Sequence, residues 1–299
     1  PATSYKPRGD RARYDAAYTH WETEPEGSVA ARSRYRVAWR KMAANTGERT
    51  LISAVIPPGA AHIDGVFSVI PGTDDPARLV DVSVQLTALT SDLVVRAAPK
   101  ANIRATTVER IPAIVPGHPL WPELRLRYLR LVCVSSVFSA LWEAVYEETF
   151  ARDAWTTTRD KVTVDLGAVT KNWTSATPLR RAADRRQAAL EIDALAAVAL
   201  NVTDEELTTV YRTQFPVLAG YDKNVYVFDA QGRLVPNAVL SEWRQRDKLS
   251  VDERTVRHPE SRVEYEYQLP FAARDREADL RRAHGAFSQR LARRRSNSV

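Results

Sequence analysis

The sequence predicts an α+β fold: a small mixed sheet within residues 31–115, a mainly helical body from about 118 to 215, and a β-hairpin and C-terminal helix beyond it. Three patterns predict it. Short apolar runs stopped by proline fill the first third, apolar residues recur at helical spacing through the middle, and a strand–turn–strand phrase precedes a last amphipathic stretch. Residues 1–30 are polar and rich in Pro and Gly, and read as an arm or linker. Thr50–Pro58 reads as a buried strand ended by Pro57-Pro58, and Val66–Ile70 as a second. Asp75-Pro76 starts a helix, because Asp caps and Pro suits the first helical position; Leu79, Val82, Leu86, Leu89 and Leu93 carry it towards Pro99. Residues 100–112 read as polar, then strand-like. Pro116–Pro119 marks a boundary.

From Trp121 to about Phe150 the helical period returns through Leu124, Tyr128, Leu131, Phe138, Trp142 and Val145. Thirty residues would make a helix of roughly 45 Å, with Cys133 inside it as a core residue. Residues 151–176 form a mixed loop. Thr177-Pro178 starts a helix running to Leu200, and Thr203 with Glu206 forms a capping box for the next, which runs to Phe215. Tyr221–Asn224 reads as a turn before a hairpin of Asn224–Phe228 and Arg233–Val235, and Asp275–Arg293 as the last helix. The domain plan is an arm at 1–30, a recognition module at 31–117, a helical spacer with its hairpin at 118–236, and a C-terminal segment with a basic tail at 237–299.

Composition narrows the class. Of 299 residues 44% are hydrophobic and 27% charged, with seven Trp and eleven Tyr, which suffices for a buried core. No run of eighteen apolar residues occurs, so no membrane span is expected. The single cysteine excludes an internal disulfide and a cysteine-rich zinc site, which fits a cytoplasmic location, and makes the triplets at Asn172 and Asn201 chance matches to a glycosylation signal. A chain that starts at Pro1 and holds one methionine, Met42, is expected to be a piece of something longer.

Several reaction signatures are missing. There is no Gly-x-Gly-x-x-Gly, no phosphate-loop Gly-Lys-Ser/Thr and no Gly-x-Ser-x-Gly. His20, His62, His118, His258 and His284 have no partner at metal-ligand spacing, and Pro57-Pro58 sits between Ile56 and Gly59, not in an Asn-Pro-Pro-aromatic loop. No catalytic and no metal-binding residue is therefore assigned. What remains is basic charge among aromatic and amide side chains. Residues 31–49 carry Arg32, Arg34, Arg36, Arg40, Lys41 and Arg49 against the single acid Glu48, and Lys100, Asn102 and Arg104 form a second group. Arginine neutralises phosphate and grips guanine with paired hydrogen bonds, and Asn does the same for adenine. A charge run is also the ordinary composition of a solvated face. Asp184, Glu191 and Asp193 near Arg180, Arg181, Arg185 and Arg186 are expected to make ion pairs within one helix. Arg290, Arg293, Arg294 and Arg295 read as a disordered tail ahead of a phosphate-binding one.

Several longer phrases carry a resemblance. They are Arg36–Arg40 (RVAWR), Asn45–Ala60 (NTGERTLISAVIPPGA), Ala183–Leu195, Tyr211–Asn224, Phe228–Asn237, Leu269–Phe271 and Arg274–Arg281, in this order along residues 30–285. Together they resemble the C-terminal specificity half of large bacterial DNA adenine-N6 methyltransferases, of the type IIG and type I-like single-polypeptide restriction–modification kinds and the BREX and DISARM phage-defence kinds. The resemblance implies a DNA-binding target-recognition region, inactive alone, whose upstream domain would bind S-adenosylmethionine and methylate a flipped adenine; no cofactor is assigned to this chain. It implies double-stranded DNA, an upstream methylase domain or subunit, and other defence-system subunits as partners. On it, Arg36, Arg40, Lys41, Asn45, Thr46 and Arg49, with neighbouring Arg34, become the first candidates for DNA contact, and Lys100, Asn102 and Arg104 the second. Arg36 or Arg49 could instead brace the strand through Glu48. Two other readings stand beside this one: a helical scaffold segment that docks partner subunits, and an enzyme with an unrecognised site.

Overall fold

The computed structural model describes residues 20–23, 27–70, 75–97, 101–246 and 248–296. The fold is α+β, with small sheets against a helical body. A hairpin, β1 (His20–Thr23) and β2 (Gly27–Ala30), opens it. The main sheet has the order β4–β3–β5, with β3 (Arg36–Arg40) between β4 (Ser53–Ile56) and β5 (Val66–Val69). It is wholly antiparallel, not mixed. The chain reverses from β3 into β4, and the β4–β5 loop then passes to the other side of β3, so that β4 and β5 run in the same direction and each pairs antiparallel with the central strand. Val37 lies opposite Val55 and Val69, and Trp39 opposite Phe67, so alternation puts these residues on the face turned to the core.

α1 (Pro76–Thr87) begins as expected, with the Asp75 carboxylate accepting from the Ala77 N–H at 2.9 Å. The single helix expected to Pro99 is broken at Ala88, and α2 (Leu89–Ala97) follows. The cause is tertiary. The Asp193 carboxylate reaches in from a distant helix and accepts from the Leu89 N–H at 2.8 Å, starting a new helix there. Residues 100–112 hold no strand among those described. Asn102 makes one bridge to Met42, and α3 (Ala105–Val108) is a single turn.

The thirty-residue helix is likewise divided, into α4 (Trp121–Val132), a 3₁₀ turn at Ser136–Phe138, α5 (Ser139–Val145) and a 3₁₀ turn at Glu148–Arg152. Cys133 is buried as expected, but caps α4 rather than lying inside it. The loop that follows holds the break open: the Trp173 indole donates to the Cys133 carbonyl at 2.8 Å, and the Trp142 indole to that of Thr170 at 3.0 Å. α6 (Ala182–Ala199) starts five residues after Thr177. Thr177 and Leu179 are taken by the backbone and guanidinium of Arg130, which keeps this stretch extended. α7 (Asp204–Gln214) has the capping box of Thr203 and Glu206 in full. Tyr221–Asn224 is the end of α8 (Pro216–Asn224), not a turn, because Pro216 restarts the helix after Phe215.

The expected hairpin is reduced to one bridge, Phe228 to Leu234, across the tight turn at Asp229–Gly232. β6 (Val227–Phe228) pairs instead with β9 (Ala272–Ala273). Between them lie α9 (Asn237–Gln245) and a second hairpin, β7 (Thr255–Arg257) with β8 (Glu264–Glu266). α10 (Arg276–Ser296) then crosses α6 and carries the arginine-rich end, which is helical through Ser296 rather than disordered. One core runs from Val37 and Trp39 of the sheet to Phe287 and Leu291 of α10, uninterrupted at Pro116–Pro119. A smaller core gathers Val227, Val235, Val239, Leu240, Leu249 and Phe271. No helix among the described residues is long and apolar enough to cross a membrane.

Candidate nucleic-acid interface

The two candidate segments, some sixty residues apart in sequence, meet at one end of the main sheet. As β3 ends, the Arg40 N–H donates to the Ile52 carbonyl at 2.9 Å and the Lys41 N–H to that of Gly65 at 3.0 Å. The chain then leaves the sheet and pairs with the second segment. Ile103 N–H donates to the Lys41 carbonyl at 2.7 Å and Ala43 N–H to that of Ala101 at 3.1 Å. Asn102 and Arg104 are thereby set beside Arg40, Lys41 and Asn45. Lys100 lies outside the described residues.

The loop between Ala43 and Thr50 is held from beneath by buried charge. Arg49 donates to both oxygens of Asp193, at 3.2 and 2.9 Å, and its guanidinium lies 5.6 Å from the centre of the Phe215 ring. The Arg96 guanidinium lies over the same ring at 4.3 Å and donates to the carbonyls of Gly47 and Glu48 at 3.1 and 3.3 Å. The Asp92 carboxylate accepts from the N–H groups of Thr50 and Leu51 at 3.0–3.1 Å. Burial lifts the Asp92 carboxyl above its ordinary value, against the Leu51 N–H and the Arg49 charge that pull it down; burial also lowers Arg96. At the tip, Asn45 and Thr46 are exposed, and the Asn45 side-chain oxygen accepts from the Thr50 hydroxyl at 2.9 Å. An amide and a hydroxyl are thus offered on a loop whose base is fixed, so less ordering entropy is left to lose on binding.

The individual candidates divide into two groups. Arg36 is 1% exposed, and its guanidinium donates to the Ala60 carbonyl; it is a packed residue and is withdrawn as a DNA contact. Arg49 is withdrawn for the same kind of reason, since its guanidinium is committed to Asp193. Neither braces the strand through Glu48, whose carboxylate accepts from the Tyr226 hydroxyl. Arg34 is half-buried and precedes β3, so it lies about 13 Å or more from Arg40 at the other end of the strand. Lys41 reaches the sheet end, but both Asp64 oxygens hold its ammonium at 2.7–2.8 Å. Arg40 and Asn102, half-buried, and Asn45, Thr46 and Arg104, exposed, remain at this end of the sheet. Arg40 and Arg104 pair with no carboxylate among the described residues, and the Arg40 Nε is buried without an acceptor. That is a local excess of positive charge at the point where the polar tip is presented.

Sequence reasoning missed three apolar residues here. Met42 is 63% exposed, Ile52 48% and Ile63 78%. The signal was present in the sequence as an apolar residue directly after Arg40-Lys41 and another inside the polar loop His62–Gly65. It also missed that the acids of α6 are anchors between elements. Asp193 holds Arg49 and α2, Glu191 holds Arg127 at 2.6 Å, and Asp184 takes the Thr163 N–H at 2.6 Å. None of these is the pair within one helix that spacing predicts. Four histidines are each held by a local contact: His118 on the Leu120 N–H, His258 on that of Ser261, His284 on the Val202 carbonyl and His62 on the Ser68 hydroxyl.

No protein-family profile, curated protein or solved structure matches the chain.

Proposed function

We propose that this chain is a double-stranded-DNA-binding target-recognition region of a bacterial DNA adenine methyltransferase, with the sheet end as its contact surface. The observation that carries the DNA reading is the placement of Arg40, Asn45, Thr46, Asn102 and Arg104 at one anchored end of the sheet, with two arginines that meet no carboxylate among the described residues. Arg40 and Arg104 take phosphates; Asn45 and Asn102 have the paired donor and acceptor that adenine requires. Support for the methyltransferase part is the ordered set of phrases alone. On this reading S-adenosylmethionine belongs to an upstream domain of the parent protein, and this chain contributes address, not methyl transfer.

The test is fluorescence anisotropy with labelled duplexes across a salt series. Affinity should fall steeply with salt, and Arg40→Ala with Arg104→Ala should flatten the log–log slope by about 2, one phosphate each. Weak binding of every duplex, indifferent to salt, would refute the DNA reading.

A second reading, a segment that docks partner subunits, is favoured by one feature. Leu93, Val94, Ile111, Leu200, Val202 and Val210 line an apolar groove of about 240 Å³ between α2 and α7. Co-purification with another subunit that survives Arg40→Ala and Arg104→Ala, with no duplex binding, would support it.

A further inference from the structure

Three large apolar side chains stand exposed on the same end of the sheet as Arg40 and Arg104, which meet no carboxylate among the described residues. Strand order fixes their arrangement: Ile52 begins β4 on one side of β3, Met42 follows β3 in the middle, and Ile63 precedes β5 on the other side. Each is tied at its base. Ile52 accepts through its carbonyl from Arg40, Met42 bridges to Asn102, and the Ile63 carbonyl accepts from the Val66 N–H at 3.1 Å. The ion pair of Lys41 with the exposed Asp64 joins the Met42 and Ile63 loops. Isolated exposed apolar side chains need no explanation, but three at one anchored end of the sheet, with arginines that meet no carboxylate among the described residues, give that end a chemical preference.

We propose that Met42 and Ile63 are an apolar wedge that enters between base steps of bound duplex DNA, with Arg40 and Arg104 on the flanking phosphates. The inference rests on the DNA reading above and adds how the duplex is engaged. The charge argument selects the occupant: a partner for this edge must present apolar faces directly beside closely spaced anions. Stacked bases between two phosphate rows meet both demands, and side chains such as Met and Ile serve as wedges of this kind. Opening a step costs stacking, which is recovered by burying the wedge, so the site should favour pyrimidine–purine steps, which unstack most readily. The pinned loop base matters here, because a wedge on a mobile loop would fold back before it parted a step.

The experiment uses the full chain, 2-aminopurine placed at a TA step, and duplexes labelled at both ends. Wild type should raise the 2-aminopurine emission and bring the ends closer. Met42→Ser with Ile63→Ser should abolish both signals and weaken binding roughly tenfold, with the salt slope unchanged because the phosphate contacts remain. These positions are exposed, so the melting temperature should stay near that of wild type. A variant that unstacks and bends DNA as wild type does would overturn the wedge. So would salt-dependent wild-type binding with no unstacking, which leaves the DNA reading intact. Wild type that binds no duplex overturns both. Unaltered DNA behaviour of the variant with loss of a co-purifying protein would assign the edge to a protein partner and overturn the wedge.

Discussion

The helical body and the sheet end use arginine in opposite ways. In the body, the buried guanidinium groups are interior struts. Arg127, fully buried, lies 2.6 Å from both Glu191 and Asp153, and Asp153 also takes Arg290 at 2.9 Å. Arg186 and Arg276 share Asp222, and Arg186 also holds Asp279 at 2.9 Å. Even Arg130, which meets carbonyls of Thr177, Asp165 and Leu166 instead of carboxylates, is fully committed, and burial pulls its pKa down to about 10. At the sheet end Arg40 and Arg104 have no such acid among the described residues. The contrast teaches that a net charge of +6 says little about where positive potential stands, since a set of arginines is paired with carboxylates inside the protein. Arg49 marks the border: a body-type strut that shapes the surface without belonging to it.

Removing a strut is the strongest way to break this comparison. Glu191→Gln leaves Arg127 buried with half its charge partners, and should cost about 3–5 kcal/mol of stability, read from the urea midpoint. A cost below 1 kcal/mol would mean that the body arginines are not struts. Asp193→Asn should cost less in stability but spread its effect to the surface. It loosens Arg49, frees the Leu89 N–H and releases the loop at Asn45, so duplex affinity should fall about tenfold although Asp193 is itself fully buried. Hydrogen exchange at residues 43–50 should rise in the same variant; unchanged exchange would separate the loop from the body.

Acid should affect the two regions with opposite sign. Burial opposes ionisation of Asp153 and Asp279, but Arg127 and Arg290 around the first, and Lys161 and Arg186 around the second, hold both carboxyls below their ordinary value. A depressed native pKa gives stability that is present above the unfolded value, about 4, and is lost as pH falls through the native one. Urea midpoints should therefore drop steeply below pH 4, and Asp153→Asn should flatten that drop. Asp92 works the other way. Burial raises its native pKa, so the folded state takes up that proton first and gains stability as pH falls through the raised value. Asp92→Asn should leave the drop below pH 4 in place.

The smallest effect belongs to the tip. Asn45→Ala should cost about 1–3 kcal/mol of discrimination at one base position, measured by competition with substituted duplexes, and leave both stability and salt slope alone. Equal loss on every duplex would make Asn45 a phosphate contact or a loop brace.

Local signals were read well where short-range chemistry decides. The Asp75-Pro76 start, the Thr203–Glu206 box and the terminal helix are each set by residues within four positions of one another. Continuous apolar spacing misled at Ala88 and at Cys133, because periodicity reports which face is buried and not whether a remote group interrupts the ladder. The candidate surface was half legible. Arg40, Asn45, Thr46, Asn102 and Arg104 share it, whereas Arg36 and Arg49 have the same side chain but point into packed protein.

The sequence by itself determined the α+β class, the starts of α1, α4, α7 and α10, and the basic and amide residues available near the sheet. Only the tertiary structure decided which arginines are spent: charge pairing acts over a few ångströms in space, and Arg49 finds its acid 144 residues away. The same Asp193 carboxylate breaks a helix at Leu89 and, through Arg49, fixes the loop that carries Asn45, consequences that no local pattern around any of these residues encodes.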